Sequence, residues 1–142
     1  MSDDVKALMQ RFYDEVVNAG NPDLIDELLD ESFVEHEELP GFSNDREGVK
    51  QFFAMMLEAF DGLRIDVDAI YAEGDTAIAR MTSRGNHTGE FMGIPASGRD
   101  VAVSVIDIIR FADGKGVEHW GIFDGASMMQ QMGAMPAEAP GG

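Results

Sequence analysis

The sequence predicts an α+β domain: a cone in which three N-terminal helices pack on a strongly bent antiparallel sheet and enclose one deep apolar pocket. Up to Gly62 the apolar residues recur every three or four positions, the helical period. Beyond Gly62 they alternate every second position, the strand period, with turn residues at regular intervals. A chain of 142 residues with 44% hydrophobic content is the size of one domain and can bury a core. Residues 1–134 are accordingly one domain, and the terminal MPAEAPGG, 135–142, has the composition of a loose tail.

The first helix is expected from Asp3 to Ala19, where Val5, Leu8, Met9, Phe12, Val16 and Val17 share a face ahead of the break at Gly20. Asn21 offers an N-cap with Pro22 at the first helical position, and Leu24, Ile25, Leu28 and Leu29 form the buried face of a short second helix. Phe33 to His36 reads as a short strand. Ser43 or Asn44, with Glu47 nearby, signals the start of a third helix that carries Val49, Phe52, Phe53, Met56, Leu57 and Phe60 to Asp61-Gly62. Strands follow at Leu63 to Ala72, Thr76 to His87, Arg99 to Phe111 and Val117 to Phe123, and a last short helix covers Ala126 to Met132. Helices followed by a meandering sheet place the helices on one side of it. The strand Arg99 to Phe111 is apolar on both faces, with Val101, Val103, Val105 and Ile109 on one and Ala102, Ile106 and Ile108 on the other. Burial of both implies a homodimer or higher homo-oligomer through the sheet.

The formal charge of −17, from 27 acids against 10 bases, repels nucleic acid phosphates and anionic membranes, so neither is an expected partner. No stretch approaches the roughly eighteen apolar residues of a membrane span, and the acidic start MSDDVKALMQ does not read as a signal peptide. A cytoplasmic location is expected. With no cysteine, disulfides, thiolate metal sites and a cysteine nucleophile are excluded.

Three histidines, His36, His87 and His119, lie in or beside predicted strands, and histidine is the side chain that ordinarily titrates near neutrality. Taken singly, each is more often a satisfied structural or interface residue than a catalytic one. The hairpin from Val101 to Asp124 is the most informative segment. A two-residue turn at Asp113-Gly114 sets Ala112 opposite Lys115, Asp107 opposite Trp120 and Val103 opposite Asp124. Asp107 and Asp124 then share an apolar wall and His119 points away. A bulged loop would instead bring His119 beside Asp107. The unbulged register is the preferred expectation. A carboxylate in an apolar wall resists ionisation, which suits it to carry a proton near neutral pH. A buried ion pair for Asp107 and a turn role for Asp124 compete with that reading.

Asp66 and Asp68 alternate with Ile65 and Val67 and fall on the solvated side of their strand. His36-Glu37-Glu38 lacks the i, i+4 geometry of a helical metal site, so no metal is expected. Gly85, Gly89 and Gly93 do not join a strand to a helix and read as turn features rather than a phosphate cradle. The Met-rich stretch at 128–132 reads as core or lid packing.

Taken from residue 5 to 133, the chain resembles the SnoaL-like polyketide cyclases, or ester cyclases, of the nuclear transport factor 2-like superfamily. The resemblance rests on the order of elements, Phe33-Val-Glu-His36, Gly48, the loop from Gly89 to Arg99, Arg110 to Lys115, and Glu118-His-Trp120 followed by Asp124. It implies a cone, a sheet-mediated oligomer, and cofactor-independent aldol ring closure of a hydrophobic polyketide ester. It also implies that Asp124 is the acid/base group that removes a proton alpha to a carbonyl, with His119 as a hydrogen-bond donor that orients the carbonyl. His36, His87 and Asp107 would bind the substrate's polar groups, and Trp120 and Tyr13 would supply aromatic walls. Two other functions fit the same cone. One is a non-catalytic binding module for small hydrophobic molecules. The other is an epoxide hydrolase-like enzyme, for which Val105 stands where an arginine is expected before Asp107 and Arg80 is the nearest substitute.

Overall fold

The computed structural model describes residues 2–134; Met1 and the 135–142 tail lie outside the described residues. The first helix has two parts. Helix α1, Ser2–Arg11, runs into a π-helical stretch, Phe12–Asn18, whose wider turn is seen in the Ala19 amide donating to the Asp14 carbonyl and Asn21 to Val16. That turn buries Phe12, Tyr13, Val16 and Val17 together. The second helix is a 3₁₀ turn, Pro22–Leu24, and one α-helical turn, α2, Ile25–Leu28. Asn21 precedes it without a side-chain capping bond. Helix α3, Arg46–Ala59, is capped by Asp45, which accepts from the Gly48 amide, rather than by Ser43 or Asn44; the Ser43 hydroxyl donates to Asp45 instead.

Five strands form one sheet: β1 Leu29–Glu35, β2 Phe60–Glu73, β3 Thr76–His87, β4 Asp100–Ala112 and β5 Lys115–Phe123. Their spatial order is β1-β5-β4-β3-β2. Strands β2 to β5 are an antiparallel meander, whereas β1 joins the edge parallel to β5, with Glu35 beside His119. A short helix α4, Gly125–Gln131, ends the described chain. Register breaks in β2, at Asp61/Arg64 and Val67/Ala69, help bend the sheet around the helices. The main core lies between the helices and the concave face, from Met9, Val16 and Ile25 to Ala77, Met81 and Ile109.

The β4–β5 hairpin corrects the preferred register. Asp113 and Gly114 both have positive φ, as a two-residue turn requires, and Ala112 does oppose Lys115. One residue later β5 bulges at Val117: Phe111 pairs with Gly116 but Arg110 with Glu118. Gly116 sits where a Cβ would meet Leu29 Cδ2 at 2.7 Å and Ile109 Cγ2 at 3.3 Å, so β1 and β4 close tightly over the bulge. The extra residue reverses every face beyond it. Asp107 opposes Gly121 instead of Trp120, His119 turns inward, and Trp120 turns out.

Candidate active site

The cone encloses a cavity of about 710 Å³, walled by Phe12, Phe33, Phe53, Phe60, Val103 and other apolar side chains. At one end Tyr13, Glu35, Glu37, Asp107 and His119 converge. Each comes from a different place in the chain: the π-helical turn, the end of β1, the segment after it, β4 and β5. The bulge aims His119 inward, and parallel pairing of β1 sets Glu35 beside it.

His119 is held from both sides, with Nδ1 at 2.5 Å from Glu35 Oε1 and Nε2 at 2.8 Å from Asp107 Oδ1. The Tyr13 hydroxyl donates to Asp107 Oδ2 at 2.7 Å, and the Glu37 amide donates to Glu35 Oε1 at 3.0 Å. Burial alone would favour neutral imidazole, but the Asp107 and Glu35 carboxylates more than offset it and push the His119 pKa up to about 10. Burial, then the charge of Asp107, pushes the Tyr13 phenol well up. Burial, followed by repulsion from Asp107, raises Glu37 to about 7. The site therefore holds an imidazolium among three acidic side chains.

Gly121 makes this crowding possible. A Cβ there would lie 2.6 Å from Asp107 Oδ1 and 2.7 Å from His119 Cε1, and closer still to Glu37 Oε1. Glu37, Asp107 and His119 each offer a ligand atom within 4.8 Å of the others, a spacing that could hold a metal ion. A metal taken up by His119 Nε2 would have to displace both its proton and its bond to Asp107.

Glu37 has a measurable linkage. Its folded pKa lies above its ordinary value, so its contribution to stability is full below about pH 4.5 and lost as pH rises through 7. Glu37→Gln is expected to flatten the fall in urea-unfolding free energy between pH 4.5 and 7.5, by about 1 kcal/mol once solvent screening is allowed for. Identical slopes in the two proteins would show that Glu37 titrates normally.

The structure brings together three of the residues singled out in the sequence: His119, Asp107 and Tyr13. The other four stand elsewhere. His36 lies outside the cavity, 2.8 Å from Glu118 and stacked on Trp120 with ring centroids 4.8 Å apart. Trp120 is thus part of the outer face rather than an aromatic wall. His87 is fully buried beside Phe60, its Nδ1 at 2.9 Å from the Ser97 hydroxyl, where it ties down the loop that carries Phe91 and Ile94 to the cavity. Asp124 is exposed, and its side chain caps α4 by accepting from the Ser127 amide at 3.0 Å. It does not share a wall with Asp107, because the bulge moved it off that face. Arg80 pairs opposite Ile106 and is exposed, away from the cavity.

Glu35 and Glu37 were missed by the sequence reading. Glu35 was legible as the inward neighbour of Phe33 at strand spacing; Glu37 follows the strand and had no such signal.

A family model described as SnoaL-like polyketide cyclase matches residues 7–132. The chain belongs to the SnoaL-like polyketide cyclase family. The nuclear transport factor 2-like cone expected from the sequence is the one observed. TsrD from Streptomyces laurentii is 32% identical with a TM-score of 0.85, over 94% of this chain and 97% of that one. IdmH from Streptomyces antibioticus, provisionally designated a polyketide cyclase, is 31% identical with a TM-score of 0.78, over 91% and 98%. AclR from Streptomyces galilaeus, provisionally designated a hydroxylase, is 26% identical with a TM-score of 0.85, over 98% and 87%. No curated protein matches the chain. As a SnoaL-like protein it shares its scaffold with relatives given two different activities, so its chemistry must be argued from its own side chains. Among the described residues, no helix is long and apolar enough to cross a membrane.

Proposed function

We propose that this SnoaL-like protein is a cofactor-independent acid/base enzyme that closes a ring in a hydrophobic carbonyl compound by an intramolecular aldol step. The observation that carries the reading is the Asp107–His119 pair, fixed by Tyr13 and Glu35 at the polar end of an otherwise apolar cavity. A carbonyl placed there meets a fixed positive charge. Loss of the alpha proton turns that carbonyl into an enolate, and the nearby imidazolium stabilises the developing negative charge in a site walled mainly by apolar side chains. Asp107 and Tyr13 form a hydrogen-bonded path along which a proton can return to the product. The apolar walls hold the chain folded, so that the enolate carbon meets its electrophile.

The test is direct. Aromatic β-keto esters bearing a second carbonyl are incubated with the protein, and ring closure is followed by mass spectrometry and absorbance. Cyclised product above the buffer rate supports the reading. Tight binding of such esters with no turnover would make the cone a binding module.

The SnoaL-like chain is also proposed to form a homodimer through its outer sheet face. Ile122 at 75% exposure, Ile106 at 47% and Trp120 at 39% would leave water there. Sedimentation at micromolar concentration should give twice the mass of 15.5 kDa, and Ile106→Lys with Ile122→Lys should return the monomer. A monomeric wild type would overturn the proposal.

A further inference from the structure

The Asp107–His119 pair leaves one question of chemistry open, because both oxygens of Asp107 already accept hydrogen bonds, one from His119 and one from Tyr13. An acceptor already satisfied by two donors is a poor base. Glu35 also meets two donors, His119 and the Glu37 amide, both at Oε1, and its side chain is only 4% exposed and held beside the imidazolium. Glu37 differs. Its carboxylate lines the cavity, accepts no hydrogen bond among the described residues, and reaches into the gap left by the missing side chain of Gly121.

We propose that Glu37 is the proton acceptor of this cavity, and that it confers a general activity: abstraction of a proton from carbon in apolar carbon acids. The proposal rests on the carbonyl reading above and supplies the base that reading needs. The groups facing Glu37 assign its role. Burial keeps the carboxylate basic, and repulsion from Asp107 of β4 and, less strongly, Glu35 of β1 adds to it. His119 from β5 opposes them but supplies the charge that receives an enolate. Tyr13, from the helix, reaches Asp107 rather than Glu37. The resulting pKa of about 7 is where a base is half available at neutral pH while still strong enough to act.

An activated carbon acid tests this without the natural substrate. In 5-nitrobenzisoxazole the base takes the proton from C3, the C–H electron pair becomes the third bond of a nitrile, and the N–O bond breaks to release a coloured phenolate. No oxidant or co-reactant is needed. The wild-type protein should eliminate with saturation, faster than acetate at equal concentration, and with a rate that rises through a midpoint near pH 7. Glu37→Gln should lose about 10²-fold or more. Asp107→Asn should slow elimination too, because His119 loses a partner, but should move the midpoint of the remaining rate to lower pH, since it removes the repelling charge; a residue acting only through packing would leave the midpoint in place.

Full rate in Glu37→Gln overturns the proposal. If Asp107→Asn alone abolishes elimination, the base is Asp107 and the carbonyl reading survives without Glu37. No elimination while the neutral fluorophore N-phenyl-1-naphthylamine binds also overturns the proposal. If neither reaction nor fluorophore binding is seen, the cavity is closed and the carbonyl reading falls with it.

Discussion

Asp107→Asn is expected to lower ring closure by at least about 10²-fold on any carbonyl substrate that the wild type turns over, with binding largely retained. Carboxylate and amide are nearly isosteric, so the cavity keeps its shape. What is lost is the negative charge that, with Glu35, holds His119 protonated, and with it the charge that stabilises an enolate. Asp124→Asn is the matched control and should leave turnover and stability near wild type. Asparagine caps a helix about as well as aspartate, and the side chain at 124 caps α4 outside the cavity. Steady-state kinetics on the two variants decides the matter. Near-full activity in Asp107→Asn together with loss in Asp124→Asn would return the chemistry to the aspartate that the family resemblance points to.

His119→Leu is expected to have the largest effect on stability, a loss of about 3–5 kcal/mol at pH 7. The side chains of Glu35 and Asp107 are 4% and 13% exposed, and both hydrogen-bond the imidazolium. Leucine leaves two buried like charges with no cation between them. The two carboxylates repel each other once the cation between them is gone, so the loss should be larger at pH 7 than in acid. The wild-type contribution has its own signature. A folded His119 pKa of about 10 gives a stabilisation complete below pH 6.5 and lost as pH rises through 10. Urea unfolding at several pH values measures both. A loss below about 1 kcal/mol, or one that does not change with pH, would show that His119 is not the cation of the site.

The elements were legible because their signals are local. The change of period at Gly62, the Pro22 and Gly20 breaks and the Asp113-Gly114 turn each act within a few residues, and every predicted strand and helix is present with shifted ends. The two clear misreadings within helices are local as well. The first helix widens into π geometry at Phe12, and Asp45 rather than Ser43 or Asn44 caps α3, because the Ser43 hydroxyl is spent on Asp45.

By itself, then, the sequence determined an acidic α+β cone with an apolar interior, and named Tyr13, Asp107 and His119 among its functional candidates. Only the tertiary structure decided which polar groups meet. One extra residue at Val117 in β5 exchanges the inward and outward sides of everything after it, taking Trp120 and Asp124 away from the cavity and bringing His119 in. Parallel pairing of β1 with β5 then sets Glu35 against His119 across 84 positions of sequence. The physical reason is that a strand's side chains alternate with a period of two, so a bulge inverts the pattern, and the neighbours that crowd this one, Leu29 and Ile109 at Gly116, come from distant strands.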